Sequence, residues 1–292
     1  MSRRKHNYAS LMVRSLDDFK ALNDDFDSEW FFRGQMCSHW DLATSLERAD
    51  SDLQRSEFAA FEAHSLNGAR RLLERDIDSG DNFSRLAFLQ HHGCTTRLLD
   101  FTRCLKVALY FAVQHGSCES NENATANGAI WAISKSALDE KIWEISGDCG
   151  ENAEGVSRRL IQESIFKGGE ADSDDALAVV FCHPCQPNPR MVAQKGLFLA
   201  PLNLQNDFKA NLTTGLNLTG AKEPVRRLDS IEHLPLALKE EDVIKLIISD
   251  EAQPHMLEYL ANEGIDEDAL FPKVDEFVKR LNEWRPSKGM TS

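Results

Sequence analysis

A chain of 292 residues, 42% apolar and 27% charged, is long enough to bury a substantial core and has neither the bias of a disordered chain nor that of a fibre. Its 33 basic against 47 acidic residues give a formal charge of -14, which disfavours non-specific binding to nucleic acid. No apolar run approaches about 18 residues, and the basic start MSRRKHNYAS has no apolar stretch behind it, so a cytoplasmic protein with no membrane partner is expected.

Residues 1–14 read as an N-terminal tail. SLDDFKALNDDF then sets Leu16, Phe19 and Leu22 three apart behind Ser15, a helix with its N-cap. EWFFRG reads as a strand, because aromatics favour a pleated surface, with Gly34 as its terminator. LATSLERA reads as more extended chain. From Glu57 to Ile77, apolar residues at helical spacing predict an amphipathic helix, and FSRLAFLQHH predicts a shorter one, capped by Asp81 or Asn82 and ended by Gly93. In CTTRLLDFTRCLKVALYFAVQHG, Leu105, Ala108, Leu109 and Ala112 mark one helical face, with Asp100 or Thr102 as N-cap.

GAIWAIS alternates like a strand after the turn dipeptide Asn127-Gly128. Residues 135–175 are acidic with helical fragments and fit an insertion over a cleft. ALAVVFCHP, GLFLAPLN and VIKLIIS are three further strands, and the short connection between the first two favours antiparallel pairing. Two helices, DEAQPHMLEYLANEG and KVDEFVKRLNEW, close the chain before a tail at 286–292. About five strands separated by unequal helices indicate a single α+β domain rather than a regular βαβ series.

The seven cysteines, at 37, 94, 104, 118, 149, 182 and 185, are odd in number and scattered, which predicts reduced thiols. Cys182-His183-Pro184-Cys185 has CxxC spacing, but structural zinc needs four ligands and no second pair accompanies it, so no metal is expected.

Three stretches put polar groups where apolar structure would position them. Arg33-Gly34 ends an aromatic strand, and a guanidinium there is a fork of donors suited to phosphate or carboxylate, while glycine lets a ligand approach the backbone. Gln90 to Thr102 gathers His91, His92, Thr96, Arg97, Asp100 and Thr102 between two predicted helices. A histidine there suits proton transfer or anion binding; the plainer account has Asp100 or Thr102 capping the next helix and Arg97 paired with Asp100. In NPRMVAQKGLF, Arg190 and Gln194 are four apart and share a face if helical. The chain has no GxGxxG after a strand, no GxxxxGK[ST], no HExxH and no GxSxG, so the familiar cofactor and hydrolase motifs give no support.

Phe32-Arg33-Gly34, FLQHHGCTTRLLDFTRCLKVALYFAV, NPRMVAQKGLF and MLEYLANEGIDEDALFP together resemble the FRG-domain family, in order and over about residues 15–285. Arg33 after an aromatic strand, and Asp100-Phe101-Thr102 followed by ALYFA, also resemble the ADP-ribosyltransferases. That second resemblance implies an α+β fold with a mostly antiparallel, split sheet and flanking helices, NAD as substrate, and transfer to a protein or nucleic-acid target. It implies Arg33 on the pyrophosphate or ribose, His91 or His92 positioning the ligand, and Gln194 on a ribose hydroxyl. Gly34, Thr96, Arg97, Thr102 and Arg190 are expected to bind the ligand. Where those enzymes commonly have a glutamate, the nearest counterpart is Gln194, so Asp100 must supply the charge or the fold binds a nucleotide without transferring it. The alternative is a non-catalytic module that recognises a phosphorylated ligand or protein partner through Arg33 and Arg97.

Overall fold

Ser15 accepts from the backbone N–H of Asp18 while Asp18 accepts from the N–H of Ser15, and this capping box starts the first helix, α1 (Leu16–Asp25). The structure is a computed structural model that describes residues 8–48, 53–72, 81–114, 127–147, 151–169, 177–184, 187–218, 225–227 and 240–272. The expected closing helix KVDEFVKRLNEW lies outside these residues.

Among the described residues eight strands form one sheet: β1 (Ala9–Val13), β2 (Trp30–Gln35), β3 (Leu99–Thr102), β4 (Gly128–Ser134), β5 (Val179–Cys182), β6 (Gly196–Pro201), β7 (Arg226–Arg227) and β8 (Val243–Ile248). Their order is β5-β6-β3-β2-β4-β8-β1-β7. From β5 to β8 every pairing is antiparallel, whereas β1 lies parallel to both β8 and β7. The fold is therefore α+β, with a sheet that is mixed rather than purely antiparallel. The stretch read as a tail supplies β1, whose Leu11 and Val13 are buried.

Helices cover both faces, and β2 shows why its sequence has the pattern it does. Side chains alternate across a strand, so Trp30 and Phe32 join one core with α1, α5 (Leu105–Val113) and α10 (Gln253–Asn262). Phe31 joins the opposite core, with α3 (Phe58–Leu72), α4 (Asn82–His91), α6 (Lys135–Ser146), α7 (Ala153–Phe166) and α9 (Phe208–Gly215). Short helices α2 (Ser45–Arg48), α8 (Pro189–Ala193) and α11 (Glu267–Leu270) sit in the connections.

Several expectations change. LATSLERA is not all extended: Thr44 and Glu47 exchange side-chain and backbone bonds that start α2. Gly34 does not end its strand but lies within β2, where α5 packs so closely that a Cβ would fall 1.9 Å from the carbonyl oxygen of Ala108. Gly128 in β4 meets the same helix, at 2.1 Å from the oxygen of Ala112. Asp100 and Thr102 are not N-caps; both belong to strand β3, and Cys104 occupies the N-cap position of α5 without a side-chain capping bond. Cys94, Cys104 and Cys182 are in no disulfide, while Cys37 is disulfide-bonded, which corrects the expectation of seven reduced cysteines. Among the described residues no helix is long and apolar enough to cross a membrane.

Candidate functional site

β2 pairs along its whole length with β4, and β3 along its whole length with β6, but β2 and β3 meet at one register position, Phe32 opposite Thr102. Past that point the two strands are joined by a side chain instead: the Arg33 Nη1 donates to the main-chain oxygen of Asp100 at 2.7 Å. A cavity of about 210 Å³ opens here, with Arg33, Gly34, Asp100 and Thr102 along its strand walls. Phe111 of α5 closes one side, and Arg190 and Gln194 of the α8 segment close another.

Arg33 is the least satisfied group in this cleft. Its Nε is a buried donor with no partner. Burial pulls its pKa down to about 10, against the attraction of Asp100, and Arg48 pushes in the same direction as burial. It stays charged at neutral pH, so the cleft holds a desolvated cation with an unused donor, an arrangement that favours an anionic ligand.

Asp100 is held by a chain of hydrogen bonds whose polarity is determined. Thr96 Oγ1 accepts the N–H of Leu98 at 3.1 Å and donates its proton to Gln90 Oε1. That turns the Gln90 amide so that Nε2 donates to Asp100 Oδ2 at 2.9 Å. Oδ1 of Asp100, an exposed residue, has no partner among the described residues.

Thr102 Oγ1 donates to the backbone oxygen of Gln194 at 2.7 Å and accepts the N–H of Cys104 at 3.0 Å, so it ties β3 to the end of α8. Gln194 is the C-cap of α8, and the next residue, Lys195, takes a left-handed φ of 47° that turns the chain into β6. The Gln194 Nε2 donates to the carbonyl of Leu270 at 3.1 Å. The Arg190 guanidinium stacks 4.7 Å above Phe271, and Phe271 meets Phe111 edge-on with centroids 6.1 Å apart. The C-terminal segment at Leu270–Phe271 thus buttresses the cleft wall.

Of the residues singled out in the sequence, Arg33, Gly34, Asp100, Thr102, Arg190 and Gln194 line one cavity. Four others do not. His91 and His92 stand exposed at the end of α4, because the helix runs through His91 and turns both rings outward. Asn188 Oδ1 accepts from the N–H of Met191, so its Nδ2 donates to His91 Nδ1 at 3.1 Å. Burial, His92 and Arg190 together lower the His91 pKa. His92 packs on Phe88 at 4.3 Å. Thr96 is buried and reaches Asp100 only through Gln90.

Arg97 is wholly enclosed and pairs not with Asp100 but with Glu62 of α3, Nε to Oε1 at 2.7 Å and Nη2 to Oε2 at 2.5 Å. Its Nη1 donates to Ser164 of α7 and to the backbone of Pro201. It is a buried tie between layers rather than a ligand-binding group. Gly34, too, owes its lack of a side chain to α5 rather than to a ligand's approach. Gln90, Phe111 and Phe271 were missed: the first sits among polar neighbours, and the phenylalanines look like ordinary core residues. Cys182 is buried at the end of β5, and His183 Nδ1 faces Glu154 Oε2 at 3.1 Å. Among the described residues no group of three or more His, Cys, Asp or Glu is placed to hold a metal ion.

Residues 28–121 match the FRG domain family. No curated protein and no solved structure matches the chain. The matched segment contains Arg33, Gln90, Asp100, Thr102 and Phe111, while Arg190 and Gln194 reach the cleft from outside it. The segment that matches the FRG domain supplies both strands, β2 and β3, that form the walls of the cleft.

Proposed function

We propose that the cleft between β2 and β3 is a nucleotide site that takes NAD as the substrate of an ADP-ribosyl transfer to a protein or nucleic-acid target, on an ADP-ribosyltransferase-like fold. The observation that carries this reading is Arg33, a cavity-lining cation that is largely desolvated and whose Nε is buried without a partner. Arg33 and Arg190 supply positive charge for the phosphates, and Phe111 offers a flat apolar surface. A cavity of about 210 Å³ is smaller than the roughly 300–1,000 Å³ that encloses a drug-sized ligand, so it seats one part of a dinucleotide and leaves the rest outside.

Asp100 is the one carboxylate among the cavity-lining residues. In transfer, the nicotinamide–ribose bond breaks with its electron pair going to nicotinamide, which leaves neutral. The carboxylate of Asp100 stabilises the positive ribose. The acceptor then bonds the anomeric carbon and gives up its proton to Asp100.

A non-catalytic nucleotide-binding module is the second reading, and Gln194 favours it: where the ADP-ribosyltransferases commonly have a glutamate, the nearest counterpart is a neutral amide whose NH2 is engaged by Leu270. Incubation of the full chain with labelled NAD and a panel of proteins and nucleic acids separates the two. Transfer predicts a covalent product that Asp100→Asn abolishes while NAD binding persists. Binding alone predicts NAD-dependent thermal stabilisation without product. Neither stabilisation nor product would remove both readings.

A further inference from the structure

Apart from the residues of β2 and β3, the cavity is lined by Phe111, Arg190 and Gln194, and one short segment holds all three. The Phe271 ring lies 4.7 Å from the Arg190 guanidinium and meets Phe111 edge-on at 6.1 Å, while the carbonyl of Leu270 accepts from the Gln194 amide at 3.1 Å. Phe271 is itself not a lining residue. The segment is also nearly self-contained. Its chain leaves α10 at Gly264, whose φ of 70° is a left-handed turn and where a Cβ would meet nothing within 4 Å. Asp266 then caps α11 by accepting the N–H of Ala269 at 2.9 Å, and the N–H groups of Leu270 and Phe271 return to the carbonyls of Asp266 and Glu267. Asp266 to Ala269 are all exposed. Among the described residues, the single hydrogen bond between Asp266–Phe271 and the rest of the chain is the one from Gln194. The segment can therefore leave without orphaning buried backbone groups, against only the burial of Leu270 and the contacts to Phe111, Arg190 and Gln194.

We infer that residues 265–271 are an autoinhibitory strap: Phe271 fills an aromatic slot between Arg190 and Phe111, and an anionic ligand with a planar ring enters the cleft by displacing it. Withdrawal of the strap frees a guanidinium, an aromatic ring and an amide at one end of the cavity together, and a slot that already holds a ring between a cation and a second ring suits another of the same kind. The strap rests on the nucleotide reading for the class of its ligand. It accounts for a cavity of about 210 Å³, too small for a dinucleotide while Phe271 is seated.

Two probes test the strap on the full chain: 8-anilinonaphthalene-1-sulfonate, an aromatic anion that fluoresces when sheltered from water, and NAD. Each is titrated against the wild type, Phe271→Ala and the double variant Arg190→Met/Phe271→Ala. A site blocked by its own chain loses apparent affinity in proportion to the fraction that is open, so Phe271→Ala is expected to bind the dye at least about ten-fold more tightly than the wild type, and NAD likewise. The double variant should lose that gain. Circular dichroism checks that the variants fold; if Phe271→Ala does not, Phe271→Leu, which keeps apolar volume but gives up the ring, should shift affinity in the same direction. A gain for the dye with no NAD binding by either protein would leave the strap standing and end the NAD reading. Dye binding that is equal or weaker without Phe271, a gain that survives Arg190→Met, or NAD bound by both proteins but no more tightly by the variant would each overturn it.

Discussion

Arg33 and Asp100 are joined side chain to main chain: the guanidinium of one reaches 2.7 Å to the carbonyl oxygen of the other, where strands β2 and β3 no longer pair with each other. The guanidinium that follows the aromatic run is thus a strut across the opening. It satisfies one donor of Arg33 and leaves another, Nε, buried without a partner.

Gly34→Ala should destabilise the protein by at least about 3 kcal/mol, at or beyond the upper end of ordinary overpacking. The new Cβ would meet a backbone oxygen at 1.9 Å, and neither β2 nor α5 can yield without disturbing the sheet. Gly68→Ala is the contrast: nothing lies within 4 Å of that position in helix α3, and alanine should add up to about 1 kcal/mol through helix propensity. Urea unfolding of the two variants measures both.

Glu62→Leu leaves Arg97 charged and unpaired in the core and should cost about 3–5 kcal/mol. Adding Arg97→Met to it should recover most of that loss, since an apolar pair of similar volume is tolerated where a lone charge is not. A double-mutant cycle by chemical denaturation gives the coupling. If Arg97 served only a ligand, neither single change would matter for stability.

The amphipathic helices and most strands were legible because their signals are local. Ser15 with Asp18 spells a capping box, and GAIWAIS spells a strand buried along its length. β3 was hidden because four residues with an exposed Asp100 give no usable alternation beside a strongly helical run. The partner of Arg97 was hidden for a different reason: Glu62 lies 35 residues away in an unrelated helix, so the near neighbour Asp100 looked the better match. Six cavity-lining residues could be picked out because each broke an apolar or glycine-bounded pattern. Gln90 acts through a hydrogen bond whose direction depends on Thr96 and Leu98, and no sequence pattern carries that.

The pair formed by Glu154 and His183 should mark the acid limb of stability. The hydrogen bond from His183, the first cause, holds the Glu154 pKa down at about 2, below its ordinary 4.5, with further help from Arg158 and against the effect of partial burial. A carboxylate whose folded pKa is depressed stabilises the fold above its unfolded value, and that contribution is lost as pH falls from about 4.5 through about 2. Glu154→Gln should therefore flatten the dependence of unfolding free energy on pH within that window. Urea titrations across pH 2–7 would show it, with a small amplitude because the side chain is partly exposed.

The most direct measurement is thermal unfolding of the wild type and Arg33→Met, each with and without NAD. A ligand near a hundred times its Kd stabilises the wild type by about 2.7 kcal/mol, several degrees for a chain of this size. The variant should respond to NAD not at all, yet unfold, without ligand, at or slightly above the wild-type temperature, because it no longer buries a guanidinium with an unpartnered Nε. A wild type indifferent to NAD together with a variant many degrees less stable would contradict the account and make Arg33 a structural strut alone.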